Sequence, residues 1–174
     1  VEEANKAGQN FKELQLKFDL VFTSELKRAQ DTAQIILENL SQWEELNDKG
    51  RIVKNINLNE RDYGDLTGLN KQETADKFGE EQVHKWRRGY SDQPPNGESL
   101  EDVVTRVRSY FDKVIFKEIQ NRDNHNILIA AHGNSLRALL IVMNIYSPDE
   151  INSVELSTGV PIHVLFDNNK FSIK

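Results

Sequence analysis

A near-continuous apolar run, NILIAA at 126–131, restricts most strongly what this chain can fold into. Runs of this length without polar alternation are typical of a strand that is buried on both faces of a parallel sheet. The run leads directly into HGNS at 132–135 and then into an apolar helical segment, Leu136–Met143. A buried strand that passes at once into a helix predicts a layered α/β fold.

The remaining patterns extend this alternation of strands and helices. Short apolar runs predict further strands at 19–22, 52–58, 161–166 and 171–173. Apolar residues at helical spacing predict helices over 1–15, after a capping Ser24, over 72–78 and 80–88, and from Ser99 onward. Polar and turn-forming residues predict loops at 41–51, 59–70 and 89–98.

Length and composition exclude several classes of protein. With 174 residues the chain is expected to form one domain, 1–174, whose core needs no covalent staples. It has no cysteine, which excludes disulfides and cysteine-based catalytic or metal sites. The formal net charge of -6 argues against non-specific nucleic-acid binding, and no apolar run approaches the roughly 20 residues of a membrane span. We therefore expect neither a nucleic-acid partner nor a membrane.

One group of candidate functional residues follows the strand at 126–131. Ligands bind outside the carboxyl ends of the strands in open parallel sheets, and His132 stands at such an end. Gly133 lets a ligand approach the backbone, and Asn134 begins a helix whose free N–H groups attract anions. The competing interpretation is a histidine that only caps the helix or is satisfied in the core.

Arginines and a carboxylate form the second group of candidates. Arg28 follows another predicted strand, in the first turn of a helix, where its charge opposes the helix dipole unless an anion binds there. Glu60 lies in the polar cluster LNERDYG and can serve as a general acid or base. The pair Arg87–Arg88 suits bidentate binding of phosphate or carboxylate. Taken singly, each of these residues is more often a solvated surface charge.

Other kinds of site have weaker support in the sequence. The four histidines have no paired spacing of the kind that metal ligands show, so we expect no metal site. The sequence contains neither a Walker loop nor a dinucleotide-binding fingerprint.

Five segments in one order give a much more specific indication than any single residue. They are FTSELKRAQDTA, LNERDYGDLTG, KFGEEQVHKWRRGY, AAHGNSLRALL and STGVP. Together they resemble the cofactor-dependent phosphoglycerate mutases of the histidine phosphatase superfamily, over nearly the whole chain from Val1 to about Phe166. The second segment and the arginine pair resemble the mutases rather than the phosphatases of that superfamily.

The resemblance implies a fold and a reaction. The fold is a mostly parallel central sheet flanked by helices on both faces. The reaction is the interconversion of 3-phosphoglycerate and 2-phosphoglycerate in cytoplasmic glycolysis and gluconeogenesis, through a phosphohistidine that 2,3-bisphosphoglycerate primes and without a metal. The family likeness further suggests a homodimer that acts on a small phosphoglycerate.

The resemblance also implies roles for individual residues. His132 matches the second histidine of the family, which stabilises the transferring group, and Arg28 matches the arginine that clamps the phosphoryl oxygens. Glu60 matches the acid/base that exchanges protons with the substrate hydroxyl. Substrate-binding residues implied in the same way are Arg61, Asp62, Tyr63, Lys71, Arg87, Arg88, Gly133 and Asn134.

Two features depart from the family pattern. The Arg-His-Gly motif that carries the nucleophilic histidine does not occur in the sequence, and apolar residues follow helical spacing from Val1 without a preceding N-cap. We therefore expect the domain to be N-terminally incomplete, without the nucleophile and one central strand of the sheet. The loop 89–98 lacks an insertion found in longer members, which predicts a smaller lid over the site.

Two alternative functions compete with the mutase prediction. A histidine phosphatase or bisphosphatase of the same superfamily would transfer the phosphoryl group of a small phosphate ester to water, and Glu60 with Arg87–Arg88 disfavours it. A protein of another class would bind a phosphorylated ligand without catalysis, because it has lost the nucleophile. An Arg-His-Gly motif upstream in the coding sequence would distinguish the enzyme from the binding protein.

Overall fold

A three-stranded parallel sheet forms the centre of the molecule and confirms the α/β prediction. A computed structural model describes residues 1–174, apart from the side chain of Lys71. The strands β1 (Leu20–Thr23), β2 (Ile52–Lys54) and β3 (Ile127–Ala130) pair in parallel in the order β2-β1-β3. Two further strands, β4 (Val164–Asp167) and β5 (Lys170–Ile173), form a separate antiparallel hairpin.

Eight α-helices connect and surround these strands in the described part of the chain. They are α1 (Glu2–Glu13), α2 (Lys27–Asn39), α3 (Trp43–Asp48), α4 (Lys71–Phe78), α5 (Glu80–Arg88), α6 (Leu100–Tyr110), α7 (Phe116–Gln120) and α8 (Gly133–Val142). A π-helical turn, Phe111–Ile115, joins α6 to α7, and single 3₁₀ turns lie at Ile56–Leu58, Gly64–Leu66 and Ile151–Ser153. None of the described helices has the length and apolar character needed to cross a bilayer.

The helices cover both faces of the sheet, as predicted. Because successive side chains of a strand point to opposite faces, β1 contributes to two separate apolar clusters. Phe22 packs on one face with residues of α6 and α8, such as Val107 and Leu139. Val21 packs on the other face with residues of α1 and α2, such as Leu37. The sheet therefore lies between two helical layers.

Strand β3 lies within the apolar run and pairs in parallel with β1. The apolar run at 126–131 predicts a strand buried on both faces, but the side chains of Ile127, Leu128 and Ile129 are only half-buried. The strand lies at the edge of the sheet beside β1, whereas all four residues of the central β1 are buried. Within residues 1–174 the only strand beside β3 is β1, whereas the family resemblance leads us to expect one more central strand in the sheet.

Three local predictions are also corrected. The stretch predicted as a loop at 41–51 contains α3, because Leu46 anchors this segment in the apolar cluster beside α2. The strand predicted over 52–58 ends at Lys54, since the side chain of Asn55 accepts a hydrogen bond from Asn57 N and starts a 3₁₀ turn. Helix α2 begins at Lys27 with Leu26 as its N-cap, so Ser24 is not the capping residue.

Candidate active site

His132 lies where β3 passes into α8, at the carboxyl edge of the sheet. It is the residue before the first turn of α8, and its backbone N–H donates to Ser135 Oγ at 3.1 Å. The side chain is buried, with its Nε2 at 2.7 Å from Ser24 Oγ. The imidazole is therefore bonded to the residue that follows the neighbouring strand, β1. The backbone of His132 is bonded separately to the first turn of α8.

Arg28 reaches the same histidine from the first turn of α2. Its Nε donates to His132 Nδ1 at 3.2 Å, while the rest of the side chain is exposed. Burial lowers the pKa of the His132 imidazole below its usual range, and the positive charges of Arg28 and Arg106 lower it further. The carboxylate of Glu60 acts in the opposite direction. The imidazole is thus kept neutral beside a guanidinium.

Glu60 lies at the N-terminus of α8, close to His132. Its Oε1 accepts hydrogen bonds from Arg61 N at 2.8 Å and from Asn134 N at 3.1 Å. A Cβ at Gly133 would lie 3.9 Å from Glu60 Oε2, so this carboxylate oxygen lies next to the first residue of α8. The N–H groups predicted to attract an external anion are thus partly used by this internal carboxylate.

Arg106 on α6 holds the loop that carries Glu60. Its guanidinium donates to the carbonyls of Asn57 at 2.6 Å, Asn59 at 3.0 Å and Glu60 at 3.3 Å. It also forms a half-buried ion pair with Glu98, with Nε at 2.7 Å from Oε1. Since a guanidinium presents several donors in a rigid plane, Arg106 fixes this loop relative to α6. Neither residue is predicted from the sequence, because a charged residue on an amphipathic helix (Arg106) or in a polar loop (Glu98) is usually solvated.

Arg61, which is predicted to bind substrate, has a buried side chain with hydrogen-bond partners in the protein. The residue is buried, and its side chain donates to three backbone carbonyls, those of Glu98 at 2.6 Å, Trp86 at 2.6 Å and Asp92 at 3.2 Å. Burial lowers the pKa of its guanidinium. These bonds connect the segment between α5 and α6 to the loop that carries Glu60.

Tyr63 connects α8 with the end of α5. Its hydroxyl accepts from Asn134 Nδ2 at 3.3 Å. Its ring lies 4.9 Å from the guanidinium carbon of Arg61 and 5.8 Å from that of Arg87, distances typical of cation–π contacts. The Nε of Arg87 is buried, and no described residue accepts a hydrogen bond from it. Arg87 therefore has an unused donor in this part of the site.

The other predicted substrate-binding residues are less closely joined to the site. Arg88 is exposed at the end of α5, and its carbonyl accepts from Asn152 Nδ2 at 2.6 Å. Asp62 is exposed, and its Oδ1 accepts from Gly64 N at 2.8 Å within a turn. The side chain of Lys71 lies outside the described part of the structure.

The site as a whole has the features of an anion-binding and proton-transferring centre. Arg28 and His132 present donors at the same strand ends, and Glu60 places a carboxylate beside them. Positioned donors of this kind stabilise charge on a transferring group, and a carboxylate can exchange a proton with a hydroxyl. Within the described residues, no group of three or more His, Cys, Asp or Glu is arranged to hold a metal ion.

Sequence comparison relates the whole chain to one family. The profile of the histidine phosphatase superfamily (branch 1) matches residues 1–174. A Bartonella bacilliformis protein named 2,3-bisphosphoglycerate-dependent phosphoglycerate mutase is 51% identical over 162 residues, which are 92% of this chain and 74% of that protein. Proteins of the same name from Bradyrhizobium sp. and Bartonella quintana are 50% and 48% identical, over 93% and 96% of this chain and 75% and 78% of their own lengths.

Two solved structures have the same fold. The alpha-ribazole phosphatase from Shigella flexneri superposes with a TM-score of 0.75 at 22% identity, covering 99% of this chain and 79% of that one. A mycobacterial glucosyl-3-phosphoglycerate phosphatase superposes with a TM-score of 0.77 at 20% identity, covering 99% of this chain and 81% of its own. At these identities the likeness establishes the fold alone.

Proposed function

The chain belongs to the histidine phosphatase superfamily, and we propose that it interconverts 3-phosphoglycerate and 2-phosphoglycerate, as a mutase primed by 2,3-bisphosphoglycerate. The observation that carries this proposal is its identity of 48–51%, over more than nine-tenths of the chain, to three proteins that bear the mutase name. Arg28, Glu60 and His132 lie together at the carboxyl edge of the sheet, which supports the same reaction.

In the proposed reaction Arg28 and His132 bind the phosphoryl group. Phosphoryl transfer depends mainly on positioning and on the stabilisation of charge on the equatorial oxygens. The guanidinium, from the first turn of α2, and the imidazole, from the residue before α8, are already joined at 3.2 Å. An anion between them would receive hydrogen bonds from both residues, and its charge would favour protonation of the imidazole.

Glu60 exchanges the proton of the substrate hydroxyl. When a hydroxyl oxygen attacks phosphorus, its proton passes to the Glu60 carboxylate, and the same carboxyl group returns a proton when the reaction reverses. Hydrogen bonds from Asn134 N and Arg61 N keep one carboxylate oxygen fixed. The other oxygen, Oε2, lies near Gly133, where a ligand can approach the backbone.

We propose that residues 1–174 belong to a single catalytic domain. On the family resemblance, the phosphohistidine belongs to an Arg-His-Gly motif, which does not occur in these residues. The other three histidines, His84, His125 and His163, have exposed side chains. The proposed activity is therefore assigned to the full-length protein.

The residues at the site fit the anionic primer. 2,3-Bisphosphoglycerate supplies the phosphoryl group that loads the histidine. Arg28 and His132 would hold that phosphoryl group, and Arg87 has a buried Nε without an acceptor among the described residues. Arg87 and Arg88 would hold the remaining acidic groups, because guanidinium planes bind phosphate and carboxylate oxygens in pairs. The proposed reaction needs no metal.

The decisive experiment measures mutase and phosphatase activity of the full-length protein side by side. We expect conversion of 3-phosphoglycerate to 2-phosphoglycerate that depends on 2,3-bisphosphoglycerate and persists with a chelator present. Release of inorganic phosphate without isomerisation would instead indicate a phosphatase or bisphosphatase. Binding of phosphoglycerate without any phosphoenzyme would indicate a non-catalytic binding protein.

We further propose that the enzyme is cytoplasmic and acts as a homodimer, in keeping with a role in glycolysis and gluconeogenesis. Cell fractionation tests the location, and light scattering of the purified full-length protein tests the oligomeric state. A monomeric mass at micromolar concentration would contradict the second proposal without affecting the first.

A further inference from the structure

Ser24 has a buried hydroxyl in direct contact with the central histidine of the site. It is the first residue after β1, and its side chain is completely buried. Its Oγ lies 2.7 Å from His132 Nε2 and also accepts a hydrogen bond from Leu26 N at 3.2 Å. A buried hydroxyl in two hydrogen bonds is held in place and shielded from water, so it can control the orientation of the imidazole.

The hydrogen bonds around His132 identify which ring nitrogen carries the proton. A guanidinium N–H can only donate, so the bond from Arg28 Nε requires His132 Nδ1 to be the acceptor. In a neutral imidazole the other nitrogen then carries the proton. The bond between His132 Nε2 and Ser24 Oγ is therefore donated by the histidine, and Ser24 is its acceptor.

We propose that Ser24 is a positioning residue that accepts the Nε2 proton of His132, so that Nδ1, on the Arg28 side, faces the phosphoryl group. The role of Nδ1 rests on the proposed function, whereas the contact with Ser24 does not. When an anion binds, the imidazole takes one proton from water. The resulting imidazolium donates from Nδ1 to a phosphoryl oxygen and still donates from Nε2 to Ser24.

The charged groups around the imidazole explain why a fixed acceptor is needed. Arg28 from α2 and Arg106 from α6 oppose a positive charge on His132, whereas Glu60 favours it. Ser24 has no net charge, so it holds the Nε2 proton in both the neutral and the charged imidazole. Without it, Nε2 would lose its acceptor in a buried environment, where an unpaired donor is costly. The ring would then be free to rotate away from Arg28, and once that contact is lost nothing restricts its proton to Nε2.

Nitrogen NMR of the histidine ring tests the proposal independently of activity. In full-length protein labelled with ¹⁵N-histidine, at a pH where His132 is neutral, we expect the proton on Nε2. Ser24→Ala should give a mixture of tautomers. The control is Thr23→Val, which removes another buried hydroxyl, one that donates to Ala130 O at 2.8 Å and does not contact His132. A wild-type proton on Nδ1, or an unchanged tautomer in Ser24→Ala, would overturn the proposal.

Rapid-quench kinetics with 2,3-bisphosphoglycerate test the consequence for phosphoryl transfer. We expect Ser24→Ala to slow phosphoenzyme formation by on the order of 10²-fold, the cost of a misplaced catalytic group, with little change in KM. Ser24→Thr, which keeps the hydroxyl, should restore most of the rate. An equal loss in Thr23→Val would mean that any buried hydroxyl matters and would overturn the specific role of Ser24. If the wild type has no mutase activity, the proposed function fails, and the NMR result still decides the contact.

Discussion

The floor of the site and its rim are held in place by different kinds of interaction. The floor consists of Ser24, Arg28 and His132, which follow the ends of β1 and β3. These two strands are joined by backbone pairing as far as Thr23 and Ala130. The rim consists of Tyr63, Arg87 and Arg88, which lie on a loop and on the last turn of α5. It is joined to the rest of the molecule through side chains such as Arg61.

Because of this difference, mutations in the floor and in the rim should change different properties of the protein. Backbone pairing of the sheet does not depend on the identity of the floor side chains, so a floor variant should lose chemistry and keep its fold. The rim depends on a few hydrogen bonds from guanidinium groups to carbonyls, so a variant there should change stability or ligand affinity. Glu60 lies between the two regions, because its carboxylate accepts from Asn134 N, next to the floor, and the next residue, Arg61, anchors the rim.

The largest effect is expected at this junction, for Glu60→Gln in the full-length enzyme. Glutamine keeps the shape of the side chain and removes the proton acceptor, and general acid–base catalysis contributes roughly 10²–10⁴-fold. Transfer between the substrate and the phosphoenzyme should slow by this factor, as measured by mutase turnover. The control is Glu44→Gln, at an exposed carboxylate on α3. Normal turnover of the Glu60 variant would make this carboxylate a structural one.

Removal of a floor residue should have the next largest effect. His132→Ala and Arg28→Ala each take away a donor to the transferring group, which typically costs ~10²–10³ in rate. Rapid-quench labelling with 2,3-bisphosphoglycerate measures the loss, and urea unfolding should show a nearly unchanged free energy for Arg28→Ala. Labelling at the wild-type rate would remove the residue concerned from the catalytic group.

Loss of the guanidinium that anchors the rim should reduce stability rather than chemistry. Arg61→Met leaves three backbone carbonyls without their donor, and hydrogen bonds to charged groups contribute about 1.5–3 kcal/mol each. We expect the free energy of unfolding to fall by about 3 kcal/mol in urea titrations. Arg108→Met, at an exposed position of α6, is the matched control. If the stability is unchanged and the KM rises strongly, Arg61 is a substrate-binding residue.

Removal of the rim arginines should alter affinity and selectivity more than the phosphoryl chemistry. In the double variant Arg87→Ala/Arg88→Ala, loss of a charge-assisted hydrogen bond of about 1.5 kcal/mol corresponds to a KM for phosphoglycerate raised about tenfold. A more open site also admits water, so phosphate release should increase relative to isomerisation. The measurement compares both activities under matched conditions. If KM and the activity ratio stay unchanged, the rim has no part in substrate selection.

The smallest expected effect is a contribution of His132 to the pH dependence of stability. Burial lowers the pKa of its imidazole in the folded protein, so the unfolded chain binds more protons between the lowered pKa and about 6.5. Stability should therefore fall as the pH decreases through this window, and His132→Gln should reduce that dependence. Urea unfolding at several pH values measures it, with the exposed His84→Gln as control. Equal pH dependence in wild type and His132→Gln would contradict the effect.

Much of the floor could be predicted from local sequence patterns. The apolar run at 126–131 followed by HGNS places His132 between a strand and a helix, and the structure confirms this position. The same holds for Arg28, which lies in the first turn of the helix after β1. Strands and helices follow from the periodicity of neighbouring residues, and parallel strands bring their carboxyl ends to one edge.

The contacts that hold the site together depend on residues far apart in the chain. Ser24 and His132 are separated by 108 positions, and Arg106 binds carbonyls 46–49 positions away. Arg61 illustrates the same limit, because its sequence context resembles a substrate-binding motif while its guanidinium is buried against backbone carbonyls. No local pattern specifies such partners, since they depend on how the packed helices and loops meet.

The sequence by itself therefore determined the α/β class, the family resemblance and the placement of His132 and Arg28 at strand ends. Only the tertiary structure decided that β3 pairs with β1, that Glu60 lies at the N-terminus of α8 and that Ser24 contacts the imidazole of His132. The reason is physical: periodicity is set by neighbours along the chain, whereas burial and hydrogen-bond partners are set by neighbours in space.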